Sequence, residues 1–346
     1  MNTDSRVAII GASGYSGEEL VRLLLRHPHA KLTAVSSRQY AGQSIASVFP
    51  KFTGIPGAEL LFIPSTTEAI IQSGANTALL ALPHGVAHEF AAPLLQAGLN
   101  VIDLSADFRI KNINTYAEFY GEAHHAPELC ATSVYGLAEI HTDAIRTASL
   151  IACPGCYPTS ILLPLIPFLK EGLLDPTSII VSSMSGVSGA GRNAKLDYLY
   201  VECNESVRSY GVPKHRHLAE IEQELSLAAG QPVTISFTPH LIPVTRGIHT
   251  TISALPTPNT TAATLEAAWQ KAYAHRPFVR ILPSPALPDT KNVTGTNFCD
   301  IAFRLDPRTG RILILSAEDN LIKGASGQAI QCLNLLNGWD ETAGLL

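Results

Sequence analysis

Apolar and polar positions follow two different rhythms along this chain. Up to about residue 150, short apolar runs recur at Val7–Ile10, Leu32–Val35, Leu60–Ile63, Ala78–Leu82 and Val101–Leu104. Between them, apolar residues fall three or four apart, as in Leu20, Leu23 and Leu24, or Val86, Phe90, Leu94 and Leu95. Unbroken apolar runs predict strands buried on both faces, and the wider spacing predicts helices packed against them. Regular alternation of the two predicts an α/β fold with a Rossmann-type, doubly wound parallel sheet. Ligands of such sheets bind at the carboxyl ends of the strands, so the turns Pro83-His84-Gly85 and Asp103-Leu104-Ser105 should rim a cofactor cleft.

After about residue 156 the rhythm changes. Ser178–Ser185, Val233–Thr238, Gly247–Ser253, Ile301–Leu305 and Arg311–Ala317 read as strands separated by long proline-rich connections, Leu282–Asn297 being the clearest. The pattern predicts an α+β second domain with a mixed, largely antiparallel sheet. A final helix carries Ile322, Ala325, Ala329, Ile330, Leu333 and Leu336 on one face. Such a stripe needs an apolar partner, and packing back on the first domain makes that domain discontinuous. The expected division is 1–152 with 318–346 for nucleotide binding, and 153–317 for catalysis and oligomerisation.

The first strand runs into Gly11-Ala12-Ser13-Gly14-Tyr15-Ser16-Gly17 and then a helical pattern. Glycines there let the backbone turn sharply and approach a pyrophosphate seated on the helix N-terminus. The spacing is G-x-x-G-x-x-G, not the G-x-G-x-x-G of the standard dinucleotide fingerprint. At the end of the second strand, where a carboxylate would hold a ribose 2′-hydroxyl, the chain reads Ser36-Ser37-Arg38. An arginine with two hydroxyls suits a 2′-phosphate, which points to NADP(H) rather than NAD.

Cys156 lies in Cys153-Pro154-Gly155-Cys156-Tyr157-Pro158-Thr159, between an apolar strand and an apolar helix expected to open at Pro158. Unpaired N–H groups at a helix start favour the thiolate, the nucleophilic form. The bland alternative is a small buried cysteine. Cys153 and Cys156 also form a C-x-x-C, which leaves a redox dithiol or half a zinc site open. No second such pair supplies the other zinc ligands. His84 and His88 lack the intervening Glu of a zinc helix, and no metal is expected. In Lys214-His215-Arg216-His217, histidine offers a proton shuttle near neutral pH. His215 is the expected acid/base and His217 its rival, because residues two apart on an extended segment face opposite ways. Arg109 can clamp an anionic group, and the loop Ser185–Gly191 offers backbone N–H groups and hydroxyls as an anion nest.

Composition narrows the class. With 346 residues, 46% hydrophobic and 15% charged, the chain can bury large cores. A net charge of −5 and no basic stripe argue against nucleic acid as partner. Six scattered cysteines suit a reducing compartment. Met1–Arg6 is polar and leads straight into a strand, leaving no room for a signal peptide. The longest apolar run, Ile161–Leu169, is broken by Pro164 and Pro167 and is too short for a bilayer. The expectation is a cytoplasmic protein without membrane association.

Taken together, these segments resemble the N-acetyl-γ-glutamyl-phosphate reductases, a branch of the semialdehyde dehydrogenase group. The matching stretches are the glycine turn, Leu82-Pro83-His84-Gly85, Asp103–Arg109, Tyr135-Gly136-Leu137, Cys153–Thr159, Ser185–Arg192, His215-Arg216-His217 and Asp319–Ala325. They run in family order over nearly the whole chain. The resemblance implies Cys156 as nucleophile through a thioester, NADP(H) as cofactor, a small-molecule substrate in arginine biosynthesis, and a homo-oligomer, tetramer or dimer. With it go His215 as acid/base and cofactor contacts at Gly11, Ser13, Gly14, Tyr15, Ser16, Gly17, Ser36, Ser37, Arg38, Pro83, Ser188, Gly189 and Asn320. Arg109, Ser185 and His217 are the expected substrate and phosphate contacts. The alternatives are a sibling enzyme acting on aspartate semialdehyde or carrier-bound aminoadipate, and a non-catalytic NADP-sensing protein.

Overall fold

The computed structural model describes residues 5–346, so Met1–Asp4, part of both the expected nucleotide-binding segment and the polar stretch Met1–Arg6, lie outside the described residues. The chain forms two compact units. One runs to Ile113 and adds Ala123–Pro154 and Ala325–Leu346; the other holds Asn114–Glu122 and Gly155–Gly324.

The first unit is built on seven strands: β1 (Ser5–Ile10), β2 (Ala30–Ser36), β3 (Phe62–Ile63), β4 (Thr77–Leu80), β5 (Asn100–Asp103), β6 (Val134–Tyr135) and β7 (Leu150–Ala152). Their order is β3-β2-β1-β4-β5-β7-β6, and every pair is parallel. The sheet is covered on both sides, which is why β1 reads as a continuous apolar run. Val7 and Ile9 join one core with Leu20 and Leu24, while Ala8 and Ile10 join another with Phe90 and Leu94. Chain order reverses between β1 and β4, the point where open α/β sheets bind ligands.

The C-terminal helix, Gly327–Leu336, contributes Ala329, Ile330 and Leu333 to the core of this unit. Its opposite face is equally buried yet polar. Gln328 donates to the Gly136 carbonyl (2.8 Å), Gln331 to Glu139 (2.9 Å), and Asn334 Oδ1 meets His27 Nε2 at 2.9 Å. Each amide finds at least one protein partner in place of water, though Gln328 Oε1 is buried without one.

The second unit holds β8 (Ile180–Ser185), β9 (Arg208–Ser209), β10 (Ser236–Leu241), β11 (Ile248–Ala254), β12 (Val279–Ile281), β13 (Cys299–Leu305) and β14 (Ile312–Glu318). The order is β12-β13-β14-β11-β8-β10-β9. Pairs β8/β10 and β12/β13 are parallel and the other four antiparallel, a mixed and largely antiparallel sheet.

The helix Cys156–Lys170 packs on this sheet and is buried from Tyr157 to Leu169. Pro164 and Pro167 lie inside it, each withholding the N–H that would bond the carbonyl four residues back. The two carbonyls so released find side-chain donors. Ser316 Oγ donates to Ser160 O (2.6 Å), and the Tyr273 hydroxyl donates to Leu163 O (2.5 Å). Ser160 Oγ also meets Thr250 Oγ1 at 2.8 Å, which in turn meets Ser183 Oγ at 2.7 Å. These buried hydroxyls explain polar positions on the inward face of the sheet, and they pin the height of the helix that begins with Cys156.

Candidate active site

In the first unit the glycine turn is shaped by contact with itself and with the residues just after β4. Gly11 has φ +84°, and a methyl there would strike the Ala81 carbonyl oxygen; a methyl on Gly17 would strike the backbone of Gly11 and Ala12. The turn therefore admits glycine at both places, the first for conformation and closeness, the third for closeness alone. Gly14 caps the helix Tyr15–Leu24 with extended backbone, and its own open side meets only Gly11 O, at 3.7 Å. Ser13 Oγ lies 3.1 Å from Ser37 Oγ, and Ala12 N–H donates to Ser36 O (3.1 Å), so the turn and the end of β2 form one surface. Ser36 and Ser37 are buried, and Arg38 is exposed beside them. Pro83 is exposed on the segment that follows β4.

The motif Asp103–Arg109 proves to be a brace. Asp103 accepts from Ser105 N–H (2.9 Å) and Oγ–H (2.7 Å), and Asp107 accepts from the N–H groups of Gly85 (2.7 Å) and Ala87 (2.9 Å). Burial, with Asp107 nearby, pushes the Asp103 carboxyl up to about 7. Arg109 is buried, its Nε donating to Cys153 O (2.7 Å) and Nη2 to Leu104 O (2.8 Å). These bonds account for a structural role; the phosphate-clamp role expected for Arg109 stays a proposal.

The second unit assembles a cluster around Cys156. The helix begins at Cys156 itself, two residues before the expected start, with Gly155 as its extended N-cap and no side-chain cap. Cys156 thus occupies the first helical position, and it is half-buried. The His217 ring packs on Gly155 so closely that a methyl at 155 would lie 2.5 Å from Nε2. Glu220, fully buried, accepts the Gly155 N–H through Oε2 (3.1 Å), while Oε1 stands 4.0 Å from His217 Nε2. One carboxylate therefore hydrogen-bonds the cysteine's turn and lies beside the neighbouring imidazole. Gly324 closes the other side, since a methyl there would lie 2.7 Å from Cys156 Cβ and 2.9 Å from Glu318 Oε1.

His215 lies one step further out, its ring edge-on to Tyr157 (5.5 Å between centroids), Tyr210 (5.5 Å), Phe237 (5.6 Å) and His217 (4.9 Å). Burial first, then the Arg216 charge, pushes it down to about 4. The hydroxyls of Tyr157 and Tyr210 meet at 2.8 Å, and burial raises both phenols.

Ser185, Ser188, Gly189 and Asn320 are also brought together. Asn320 Nδ2 donates to Ser188 Oγ (2.9 Å), Asn320 Oδ1 accepts Gly247 N–H (2.8 Å), and a methyl on Gly189 would fall 3.3 Å from Ser185 Oγ. The residue missed from sequence is Glu220. Its signal is the spacing His217-x-x-Glu220 across the opening turn of the helix Leu218–Ala229, which puts the two side chains on one face. His88 stacks on His125 at 4.6 Å, and among the described residues no cluster of three or more His, Cys, Asp or Glu is arranged to hold a metal.

Two family signatures match the chain: "Semialdehyde dehydrogenase, NAD binding domain" over residues 6–148, and "Semialdehyde dehydrogenase, dimerisation domain" over 156–320. An N-acetyl-gamma-glutamyl-phosphate reductase of Akkermansia muciniphila is 53% identical over 98% of both chains. One from Citrifermentans bemidjiense is 51% identical over 98% of this chain and 97% of its own. Among solved structures, the aspartate semialdehyde dehydrogenase with NADP from Candida albicans superposes with TM-score 0.73 at 15% identity, covering 98% of this chain and 99% of that one. At that identity the likeness is one of fold.

Proposed function

This chain belongs to the N-acetyl-γ-glutamyl-phosphate reductase family of semialdehyde dehydrogenases, and on that premise we propose that it reduces N-acetyl-γ-glutamyl phosphate to N-acetylglutamate 5-semialdehyde, releasing phosphate, in arginine biosynthesis. The observation that carries the reading is the Cys156 turn, with a cysteine at the first position of a helix and the His217–Glu220 pair packed on the residue before it.

The Cys156 thiolate adds to the γ-carbonyl carbon. The bond to the phosphate oxygen then breaks, phosphate leaves with the electron pair, and a thioester remains. NADPH, when bound, supplies the hydride that reduces this thioester. When the C–S bond later breaks, Cys156 leaves as thiolate and the aldehyde is free. His217 takes the thiol proton from Sγ, lends it to the oxygen of the reduced adduct, and takes it back as the carbonyl re-forms and the C–S bond breaks. His217 is preferred over the expected His215 because it packs on Gly155 and has Glu220 to orient it. The first N–H groups of the helix, Cys156 included, are donors for the developing oxyanion.

Cofactor binding is assigned to Gly11–Gly17, with Gly11, Ser13, Gly14, Tyr15, Ser16 and Gly17 around the pyrophosphate. Ser36, Ser37 and Arg38 take a 2′-phosphate, which favours NADPH over NADH. The fit is supported by the close-packed glycine turn and by the Ser13–Ser37 hydroxyl pair joining it to β2. Pro83, Ser188, Gly189 and Asn320 complete the proposed cofactor contacts, and Ser185 and Arg109 those to substrate and phosphate.

Two copies are proposed to pair through the outer face of the second sheet. Ile180 and Met184 are exposed there, and Leu313 and Leu315 half-buried, while their neighbours Val181, Ile312 and Ile314 are buried. An uncovered apolar sheet face suits a second copy. No helix among the described residues is long and apolar enough to cross a membrane.

The deciding assay runs the reaction backwards, following phosphate-dependent reduction of NADP by N-acetylglutamate 5-semialdehyde. Turnover with aspartate semialdehyde alone would move the chain to a sibling activity, and tight NADP binding with no turnover would leave a sensing protein.

A further inference from the structure

We propose that His215 is held as the neutral Nε2–H tautomer and serves as a fixed hydrogen-bond donor to the reacting carbonyl oxygen of the substrate, a role separate from proton transfer. The inference deepens the proposed function and rests on Cys156 as the nucleophile.

The tautomer follows from one bond. The His217 backbone N–H donates to His215 Nδ1 at 3.2 Å. A nitrogen that accepts from an N–H carries no proton of its own, so the single proton of a neutral ring sits on Nε2. Adding a second proton at Nδ1 would break that bond and point two N–H groups at each other. The surroundings reinforce this. Tyr157 faces the ring from the Cys156 helix, Tyr210 from the segment after β9, Phe237 from β10, and Arg216 and His217 from its own segment. None of these is an anion that would stabilise an imidazolium, and the carboxylate of Glu220 is directed at Gly155 and His217.

The location follows from packing. His215 rests on Tyr157, the residue after the nucleophile, and on His217, which rests on Gly155, the residue before it. Nδ1 is engaged with backbone, and Cδ2 is the ring atom nearest Gly211, where a methyl would lie 3.0 Å away. Among the described residues Nε2 has no protein acceptor, and it is not sealed from solvent, so this edge is left for solvent or ligand. A preset donor beside an attacked carbonyl stabilises the negative oxygen as it forms, at no cost in reorganisation. Two adjacent histidines thus divide the work, His217 exchanging protons and His215 keeping its own.

The test is ¹⁵N NMR of the full-length enzyme with labelled histidine, His215 being assigned by its loss in His215→Gln. Across pH 5–8 its signals should keep the pattern of an Nε2–H, Nδ1-bare ring and show no titration. A midpoint near 6.5, or a proton on Nδ1, overturns the proposal. No substrate is needed, so failure of the phosphate-dependent assay would count against the function without touching this result. Kinetics supplies the second readout. His215→Ala should lower kcat ~10²–10³-fold, the usual worth of one such donor, while retaining the neutral limb of the pH–rate profile. His215→Gln, which keeps an N–H donor, should recover part of the loss. Disappearance of the limb in His215→Ala would make His215 the shuttle and overturn the division.

Discussion

Gly14 and Gly155 occupy the same position in two helices of different units. Each is an N-cap with extended backbone, φ −75° and ψ 169° for Gly14, φ −69° and ψ 163° for Gly155, and neither helix has a side-chain cap. The orphan N–H groups of both first turns are thus presented in the same way. What differs is the cover. The open side of Gly14 meets one carbonyl at van der Waals distance, whereas Gly155 is sealed by the His217 ring. A bare turn is suited to a ligand's phosphate, and a turn sealed by an imidazole, with cysteine as the next residue, is suited to chemistry. The backbone device is shared; the side chain packed on the glycine decides its use.

Removing the proposed nucleophile should have the largest effect. Cys156→Ser should lower kcat by ~10³-fold or more, because a hydroxyl beside the same helix start is a far weaker nucleophile than a thiolate. Cofactor affinity and melting temperature should stay at wild-type values. Cys153→Ser is the control and should remain active; equal loss in both would indicate a dithiol mechanism in place of a single nucleophile.

Next comes the pair of glycines. Gly155→Ala pushes a methyl into His217 and should cost roughly 10²-fold in kcat, the scale of a displacement near 1 Å in a catalytic group. Gly14→Ala has a backbone conformation that alanine accepts, so stability should hold and the loss should appear in the KM for NADPH. If both substitutions acted only on stability, the difference in cover would have no functional meaning.

Arg38→Ala sharpens the comparison from the cofactor side. One charge-assisted contact to a 2′-phosphate contributes about 1.5–3 kcal/mol, or ~10–150-fold in affinity, for NADPH with little change for NADH. Equal losses with both cofactors would mark Arg38 as structural.

The two units also respond oppositely to pH. His215 is lowered to about 4 from 6.5, so the unfolded chain binds the proton more readily between those values. Its contribution is present above pH 6.5 and is lost as pH falls towards 4, at most about 3 kcal/mol. Asp103 is raised to about 7 from 3.8, so stability tied to its protonated form is present at low pH and is lost as pH rises through 7. Melting temperature against pH should show a shallower fall below 6.5 in His215→Asn, and a shallower fall towards 7 in Asp103→Asn.

These contrasts show what a sequence can disclose. β1 and β5 are legible because strands covered on both faces carry unbroken apolar runs, Val7–Ile10 and Val101-Ile102, and the Cys156 turn because it falls between an apolar strand and an apolar helix. β6, β9 and β12, two or three residues long, carry no periodicity to read. The strand expected at Val233–Thr238 runs instead over Ser236–Leu241, through Pro239, a residue that ordinarily argues against an interior strand. Arg109 is legible as a candidate anion clamp from its type alone, whereas its bond to the Cys153 carbonyl, 44 residues away, is not. Glu220 was hidden for the same reason: its partner Gly155 lies 65 residues away.

The smallest expected effect concerns how the Cys156 helix is held at its height. Pro164 leaves the Ser160 carbonyl without its helical donor, and Ser316 Oγ takes that place at 2.6 Å inside the core. Ser316→Ala should cost ~1–3 kcal/mol, because a buried acceptor is then left unsatisfied. Pro164→Ala restores an N–H at that point, so the hydroxyl becomes redundant and the serine substitution in that background should cost less. A double-mutant cycle read by denaturant unfolding measures the difference as a coupling energy between residues that share one carbonyl. Additive effects would show that Ser316 acts through some other contact. A coupling accompanied by unchanged kcat would separate the support of the helix from the chemistry at its first residue, and a coupling that also appears in kcat would mean that the height of the helix sets the position of the thiol.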